Sequence, residues 1–180
     1  MFDKDMQIRG KYATYWKALT QLPGNAVETS KNFKIFENYI YVYMVAPIIG
    51  LINGKKAYID PADDSKDTAG MLAEVQIKNA SKLKYIYRLI VLMDDSEGLT
   101  NEEKIDRAFR ENDNEEATKK GMDLYTAYFL GGLEILYETF VQSCVTDDDF
   151  VLKMFDFVSE FKEEQDIDEL TVDIEALLRT

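Results

Sequence analysis

The stretch YIYVYMVAPIIGLI, residues 39–52, contains no charged side chain. A helix that is apolar on all sides is expected to be buried over most of its circumference. A bilayer-spanning helix needs about 20 consecutive apolar residues, whereas this run is shorter and is interrupted by Pro47 and Gly50. We therefore predict that at least residues 39–46 form the buried central helix of a domain, and that the chain does not enter a membrane.

Pro47 divides this stretch into two parts. A proline inside a helix removes one backbone hydrogen bond and clashes with the preceding turn, so the central helix should be kinked or broken near Pro47. Further on, Asn53-Gly54 lies between two apolar runs, and both residues tolerate the positive φ of a type I′ turn. The sequence therefore allows a small hairpin over residues 48–59 as an alternative to continuous helix.

Apolar residues three and four positions apart recur along the rest of the chain, which is typical of amphipathic helices. The composition, 46% hydrophobic and 31% charged with few Gly and Pro, also favours a helical globular protein. We predict an all-α fold, a single-domain bundle of about six to eight helices over residues 1–180. The predicted helices include 11–22, 70–93 (one long helix or two), 122–143, the segments that follow the N-cap residues Thr100 and Thr146, and a short terminal helix using Leu170, Ile174, Leu177 and Leu178.

Two details of these helices carry expectations about packing. Gly131-Gly132 lies in the middle of the predicted helix 122–143, where each glycine costs about 1 kcal/mol relative to alanine. A close crossing with another helix would offset that cost, and self-association would follow if the crossing helix belonged to a second subunit. After the Thr146 cap, the helix is predicted to bury an apolar face consisting of Val151, Met154, Phe155, Val158 and Phe161.

The chain has no histidine and only one cysteine, Cys144. Histidine is the usual general base and the commonest metal ligand, and a lone cysteine cannot form an internal disulfide or a cysteine-only zinc site. Phosphate-binding glycine loops are also missing. The sequence therefore predicts a protein that is not an enzyme and that needs no metal or cofactor. Since the first residues do not resemble a secretory signal, we expect a cytoplasmic protein of bacterial origin.

Charge is distributed unevenly along the chain. The net charge is −13, but residues 1–93 carry 13 basic and 9 acidic side chains, a net of +4, while residues 94–180 carry 8 and 25, a net of −17. Such an asymmetry between halves can indicate an interaction surface. The acidic half is expected to face a basic partner.

The basic half mixes lysines with aromatic side chains. Lys78, Lys82 and Tyr85 would fall on one helical side, with Lys84 beside them, and such a mixture can hold a phosphate backbone or a protein partner while a ring stacks. A solvated basic rim over the core is the simpler interpretation. An overall isoelectric point near 4.5 weighs against tight nonspecific DNA binding.

Arg88 stands among apolar neighbours in the sequence. If its side chain points inward, it needs a carboxylate partner, because an unpaired buried guanidinium is very costly. Asp123, Glu134 and Glu138 are the candidate partners. We therefore predict a structural ion pair of Arg88 with Glu134 or Glu138.

Three functional hypotheses follow from these patterns. The first is a non-enzymatic helical interaction protein, a small subunit or adaptor of a multi-protein assembly, with self-association as a further expectation. The second is a nucleic-acid-associated accessory protein that uses the basic half. The third is a carboxylate-metal enzyme built on Glu134 and Glu138, four residues apart on one helix; helical di-metal sites normally recruit histidine as well, and the chain has none.

Overall fold

A computed structural model describes residues 1–20, 35–60, 66–110 and 114–164 of the chain. Over these ranges the protein is a mainly helical single domain with a small two-stranded antiparallel sheet, which confirms the predicted fold class. Two π-helical turns, Asp106–Arg110 and Glu138–Gln142, extend two of the helices. The strands are β1 (Met6–Arg9) and β2 (Thr68–Met71), and the helices are α1 (Lys11–Leu19), α2 (Tyr39–Ile52), α3 (Ala73–Lys78), α4 (Ala80–Met93), α5 (Asn101–Ile105), α6 (Glu115–Tyr137) and α7 (Asp147–Glu164).

Helix α2 is the uncharged stretch of residues 39–52, and it lies in the core as predicted. Val42 and Ala46 are fully buried, and the main neighbour of α2 is α6. None of the helices in the described ranges is long and apolar enough to cross a membrane.

Helix α2 continues through Pro47 instead of breaking there. The missing N–H of Pro47 would have donated to the carbonyl oxygen of Tyr43, four residues earlier. That carbonyl accepts a hydrogen bond from the Tyr125 hydroxyl instead, with an O···O distance of 2.7 Å in a buried position. The side chain of α6 thus replaces the backbone donor that the proline removes.

The alternative of a hairpin over residues 48–59 is wrong, because the Asn-Gly pair ends α2. Gly54 adopts a positive φ of 60°. Its N–H donates to the Leu51 carbonyl at 3.0 Å, and the N–H of Lys55 donates to the Gly50 carbonyl at 2.8 Å. These two bonds form a Schellman motif, a common helix C-terminus that also requires glycine in the left-handed region. The Asn53-Gly54 pair therefore forms a helix end rather than a hairpin turn.

Helices α2 and α6 cross with their backbones in direct contact, as the Gly131-Gly132 pair predicted. A Cβ built on Gly132 would lie 1.8 Å from the Ala46 carbonyl oxygen, and one on Gly50 would lie 2.2 Å from the Tyr128 carbonyl oxygen. Only glycine fits at such distances. Because the crossing helix belongs to the same chain, the glycine pair gives no argument for self-association.

The small sheet joins the chain's beginning to the segment before α3. Met6 pairs with Met71 and Arg9 pairs with Thr68 in the antiparallel register. Of the helix or helices predicted over residues 70–93, residues 73–78 form α3. The partner strand comes just before them and contains Ala69 and Gly70, small residues that give little strand signal.

Helix N-termini follow the predicted capping chemistry. Thr100 and Glu103 form a capping box at α5, in which the Glu103 N–H donates to Thr100 Oγ1 at 3.3 Å and the Thr100 N–H donates to Glu103 Oε2 at 2.8 Å. Helix α6 begins earlier than predicted because the Asn114 side chain accepts from the N–H groups of Glu116 and Ala117. The predicted terminal helix over residues 170–178 lies outside the described residues.

Candidate interaction surfaces

Helix α7 packs on the end of α6 through a narrow seam. Phe150, Met154 and Phe157 are partly buried against the core. The rings of Phe150 and Phe157 meet the ring of Phe140, which is 1% exposed, with centroid distances of 5.9 and 5.3 Å and edge-on geometry. Aromatic pairs in this arrangement contribute about 0.5–1.5 kcal/mol each beyond their buried area. This seam holds α7 on the domain.

A second apolar face of α7 points to solvent. Val151, Leu152, Phe155 and Val158 are exposed by 63, 62, 70 and 57%. At about 100° per residue they fall within an arc of about 120°, next to the arc of the buried seam. We refer to these four side chains as the α7 stripe. The prediction that Val151, Phe155 and Val158 are buried is therefore wrong.

The reason for that error is that α7 carries two adjacent apolar arcs. Both repeat at intervals of three and four residues, so periodicity alone cannot tell which one faces the core. The structure selects the arc that contains two phenylalanines able to reach Phe140. The other arc remains exposed.

Carboxylates line one side of the α7 stripe. Asp156, Glu160 and Glu163 are exposed and follow one another at intervals of four and three residues, next to the stripe. We call these three residues the acidic edge. Over its length α7 has seven acidic and two basic residues, a net charge of −5. The surface is therefore an apolar band with a negative border.

The basic and aromatic residues predicted from the sequence lie on two helices. Lys78 belongs to α3, where it pairs with Glu74 at 2.7 Å. Lys82, Lys84 and Tyr85 belong to α4 and are exposed, Tyr85 by 70%. Of the four predicted residues, the structure therefore brings Lys82 and Tyr85 together on one exposed side of α4, whereas Lys84, two residues from Lys82, lies on another side.

A shallow groove of about 420 Å³ adjoins this face. It runs between α2 and α4, and we call it the α4 groove; its lining consists of Met44, Ser81, Lys82, Tyr85 and Ile86. One turn before Met44 on α2, Tyr41 is 44% exposed. The groove thus combines an apolar floor with one lysine, Lys82, at its edge.

Glu134 is the centre of a polar cluster at α1, α6 and the end of α2. It accepts from Lys11 Nζ at 2.7 Å and from the Tyr12 hydroxyl at 2.9 Å, and it pairs with Lys55 Nζ at 3.2 Å. Lys55 also pairs with Glu138 at 3.6 Å. Burial opposes ionisation of Glu134, but hydrogen bonds from Lys11, Tyr12 and Lys55 outweigh it and hold the pKa of its carboxyl below the ordinary value.

The same cluster raises the pKa of Tyr12 and bears on the carboxylate-metal hypothesis. Burial, together with the neighbouring Glu134 carboxylate, raises the pKa of Tyr12 to about 12. A metal ion bound by Glu134 and Glu138 would have to displace the lysines that already neutralise them. These ion pairs therefore weigh against a metal site at Glu134 and Glu138.

Arg88 has different partners from those predicted. Its Nε donates to the Ala108 carbonyl at 3.3 Å, and its guanidinium carbon lies 4.7 Å from the centroid of the Phe109 ring. Both partners come from the π-helical turn that follows α5. Glu134 and Glu138 form their ion pairs with lysines instead. A cation–π contact with an exposed ring contributes about 0.5–1 kcal/mol.

A buried carboxylate that the sequence did not indicate lies at the end of α4. Asp94, 6% exposed, accepts from the Tyr128 hydroxyl at 2.6 Å and from Ser96 Oγ at 2.7 Å, and it pairs with Lys56 at 2.8 Å. Burial opposes its ionisation, but the bonds from Lys56, Tyr128 and Ser96 are stronger and keep the pKa of Asp94 below its ordinary value. Burial and the Asp94 carboxylate raise the pKa of Tyr128. The only sequence signal was an aspartate directly after an apolar run.

Two further aspartates, Asp67 and Asp149, have structural partners. Asp67 accepts from Thr14 Oγ1 at 2.7 Å and pairs with Lys17, and Asp149 accepts from the Thr146 N–H at 2.8 Å as part of the α7 cap. In the described portion of the chain, no three Asp, Glu or Cys residues are grouped so that they could hold a metal ion. Cys144 is buried and near the Thr139 carbonyl.

No protein-family model, curated protein or solved structure matches this chain. The class that the structure defines is a mainly helical single domain with a two-stranded sheet. Its most exposed apolar helix face is the α7 stripe, and the α4 groove adds the exposed ring of Tyr85 above a largely buried apolar floor.

Proposed function

We propose that this chain is a non-enzymatic helical interaction protein, a small cytoplasmic subunit or adaptor that binds a protein partner through α7. One observation carries the proposal: the four large apolar side chains of the α7 stripe are all more than half exposed. Contiguous exposed apolar surface is unfavourable in water, and on natural proteins it is characteristic of binding sites. The helix is already anchored by its other seam, so the stripe is free to bind.

The acidic edge indicates the chemistry of the partner. Asp156, Glu160 and Glu163 border the stripe, and residues 94–180 as a whole carry a net charge of −17. A negative border attracts a positive surface, speeds association and disfavours acidic competitors. The partner should therefore present an apolar surface flanked by lysine or arginine.

The test is affinity purification from the native host with matched variants. Phe155→Ser removes the largest side chain of the stripe, whereas Tyr58→Ser removes an equally exposed ring elsewhere, 72% exposed compared with 70%. We expect the tagged wild type and the Tyr58→Ser variant to recover the same partner, and the Phe155→Ser variant to lose it. Equal recovery with Phe155→Ser would overturn the proposal.

The charge component is measured separately with the purified partner. Reversal of Asp156 and Glu160 to lysine should slow association, because the steering field is lost, while leaving the fold intact at two exposed positions. Reversal of Asp149 is not suitable, since its carboxylate caps α7. An on-rate that stays the same at low salt would contradict the role given to the acidic edge.

A second candidate function is nucleic-acid binding through α4. The observation that favours it is the 70% exposed ring of Tyr85 next to Lys82, since a ring and a cation together can hold a base and a phosphate. A gel shift at two salt concentrations tests it. Binding that falls with salt and disappears when Lys82 and Lys84 are changed to Glu would support it, and no shift at low salt would end it.

A further inference from the structure

We infer that the surface that receives the α7 stripe is the α4 groove of a second copy of this chain, so that copies associate head to tail. This inference rests on the proposed function, because it needs α7 to be the binding element. It goes further by naming the partner. The stripe and the Tyr85 ring at the groove are both exposed in the described residues, so the two surfaces do not cover each other within one chain.

The apolar parts of the two surfaces match. The stripe offers one protruding aromatic ring, Phe155, with aliphatic side chains around it, and the groove offers a concave floor made of Met44, Ile86 and the ring of Tyr85. A methionine beside aromatic rings adapts to an inserted side chain, and sulfur–ring contacts are favourable. An aromatic anchor in such a pocket is the usual centre of a protein interface.

The charged borders of the two surfaces are also opposite in sign. The groove is bordered by Lys82, and Lys84 is exposed on the neighbouring side of Tyr85. The stripe is bordered by Asp156 and Glu160. When the apolar parts meet, carboxylates of one copy can face lysines of the other. The same contact between two α7 stripes would bring acidic edges together and is disfavoured by repulsion.

Such a contact has a defined symmetry. It joins two different patches, so a pair keeps one free groove on one copy and one free stripe on the other. Contacts of this kind build open chains, or rings where the rotation closes. We therefore expect oligomers that grow with protein concentration rather than a single closed dimer.

The experiment compares the wild type with one variant defective in each surface. Phe155→Glu removes the stripe, and the double change Lys82→Glu with Tyr85→Ser removes the groove; all three positions are exposed. Met93→Glu places the same charge at an apolar position with 62% exposure outside both surfaces. Circular dichroism checks that each variant is folded.

Sedimentation velocity over a concentration series gives the first readout. The wild type and Met93→Glu should form concentration-dependent oligomers, and each defective variant should associate at least about tenfold more weakly, as expected for loss of an interface anchor. The two defective variants are then mixed in equal amounts. The intact groove of one should bind the intact stripe of the other, which yields a heterodimer that cannot grow further.

The outcomes separate this inference from the proposed function. A wild type that stays monomeric at all concentrations, or a mixture that forms no heterodimer, overturns the head-to-tail contact; residues 165–180 or another protein would then be the occupant to consider. If Phe155→Ser still loses the partner recovered from the host, the proposed function stands without self-association. If Phe155→Ser loses nothing, both fail.

Discussion

Replacement of Gly132 by alanine tests the backbone contact between α2 and α6 on which the core depends. A Cβ at this position would lie 1.8 Å from the carbonyl oxygen of Ala46 and 2.6 Å from its carbonyl carbon. Ordinary contacts of a Cβ begin near 3.4 Å. Because both obstacles are backbone atoms of a buried helix, no side-chain rotation relieves the overlap, and the two helices have to separate.

The magnitude follows from two opposing terms. Insertion of a methyl group into a packed core costs about 1–3 kcal/mol, and the rigid backbone obstacle places Gly132→Ala at the upper end of this range. The substitution also gains about 1 kcal/mol because alanine favours a helix interior over glycine. We therefore expect the free energy of unfolding to fall by about 2 kcal/mol.

Urea unfolding followed by the fluorescence of Trp16 measures this change. Trp16 is the only tryptophan and is fully buried in the same core. Lys119→Ala is the control on the same helix, because Lys119 is exposed and its truncation leaves the crossing of α2 and α6 unchanged. The control should lose less stability. If Gly132→Ala is as stable as the wild type or more so, the close crossing described here is refuted.

Three further predictions concern the core and the anchoring of α7. The pKa of the Asp94 carboxyl is lowered in the folded state. Its contribution to stability is therefore present at neutral pH and is lost as the pH falls through that lowered pKa. In urea titrations, the difference in unfolding free energy between the wild type and Asp94→Asn should shrink on acidification. Tyr125→Phe should lower the free energy of unfolding by about 1–3 kcal/mol, because it leaves the buried Tyr43 carbonyl without a donor. In a Pro47→Ala background the backbone N–H returns, so a double-mutant cycle should show a smaller cost for Tyr125→Phe. Phe157→Ser should lower the free energy of unfolding and with it the melting temperature. Phe155→Ser should change the free energy of unfolding by no more than about 0.5 kcal/mol, because its ring is exposed. Equal effects of the two substitutions would contradict the orientation of α7.

The centre of the fold was predictable from the sequence because its signals are local and strong. A run of fourteen residues without charge has no stable place except a core, and two adjacent glycines inside a helix require a reason that only close packing supplies. The capping box at Thr100 was equally clear, since both of its bonds lie within one turn. In each case the physical cause and its sequence signal are only a few residues apart.

The errors arose where a pattern fits two structures or where the partner is distant in sequence. Asn53-Gly54 satisfies both a hairpin turn and a helix end, and the sequence pair alone does not distinguish them. Asp94 meets Tyr128 thirty-four residues later, and Arg88 meets Ala108 twenty residues later. Neither pairing has a local signature. The sequence pattern indicated that Arg88 needed a partner but did not identify the right one, and it did not indicate the burial of Asp94.

The proline and the exposed stripe have a common explanation in the way the core is built. Helices α2 and α6 approach so closely that a side chain of one, Tyr125, can supply a hydrogen bond to the backbone of the other. This tight contact seats the central helix, whereas α7 packs on the π-helical turn that follows α6. Helix α7 therefore has no structural need for a second apolar arc, and four large side chains exposed to water oppose solubility. A surface that covers such a face would give a physical reason for it, which is why the proposed binding element is α7 rather than the charged clusters inside the domain.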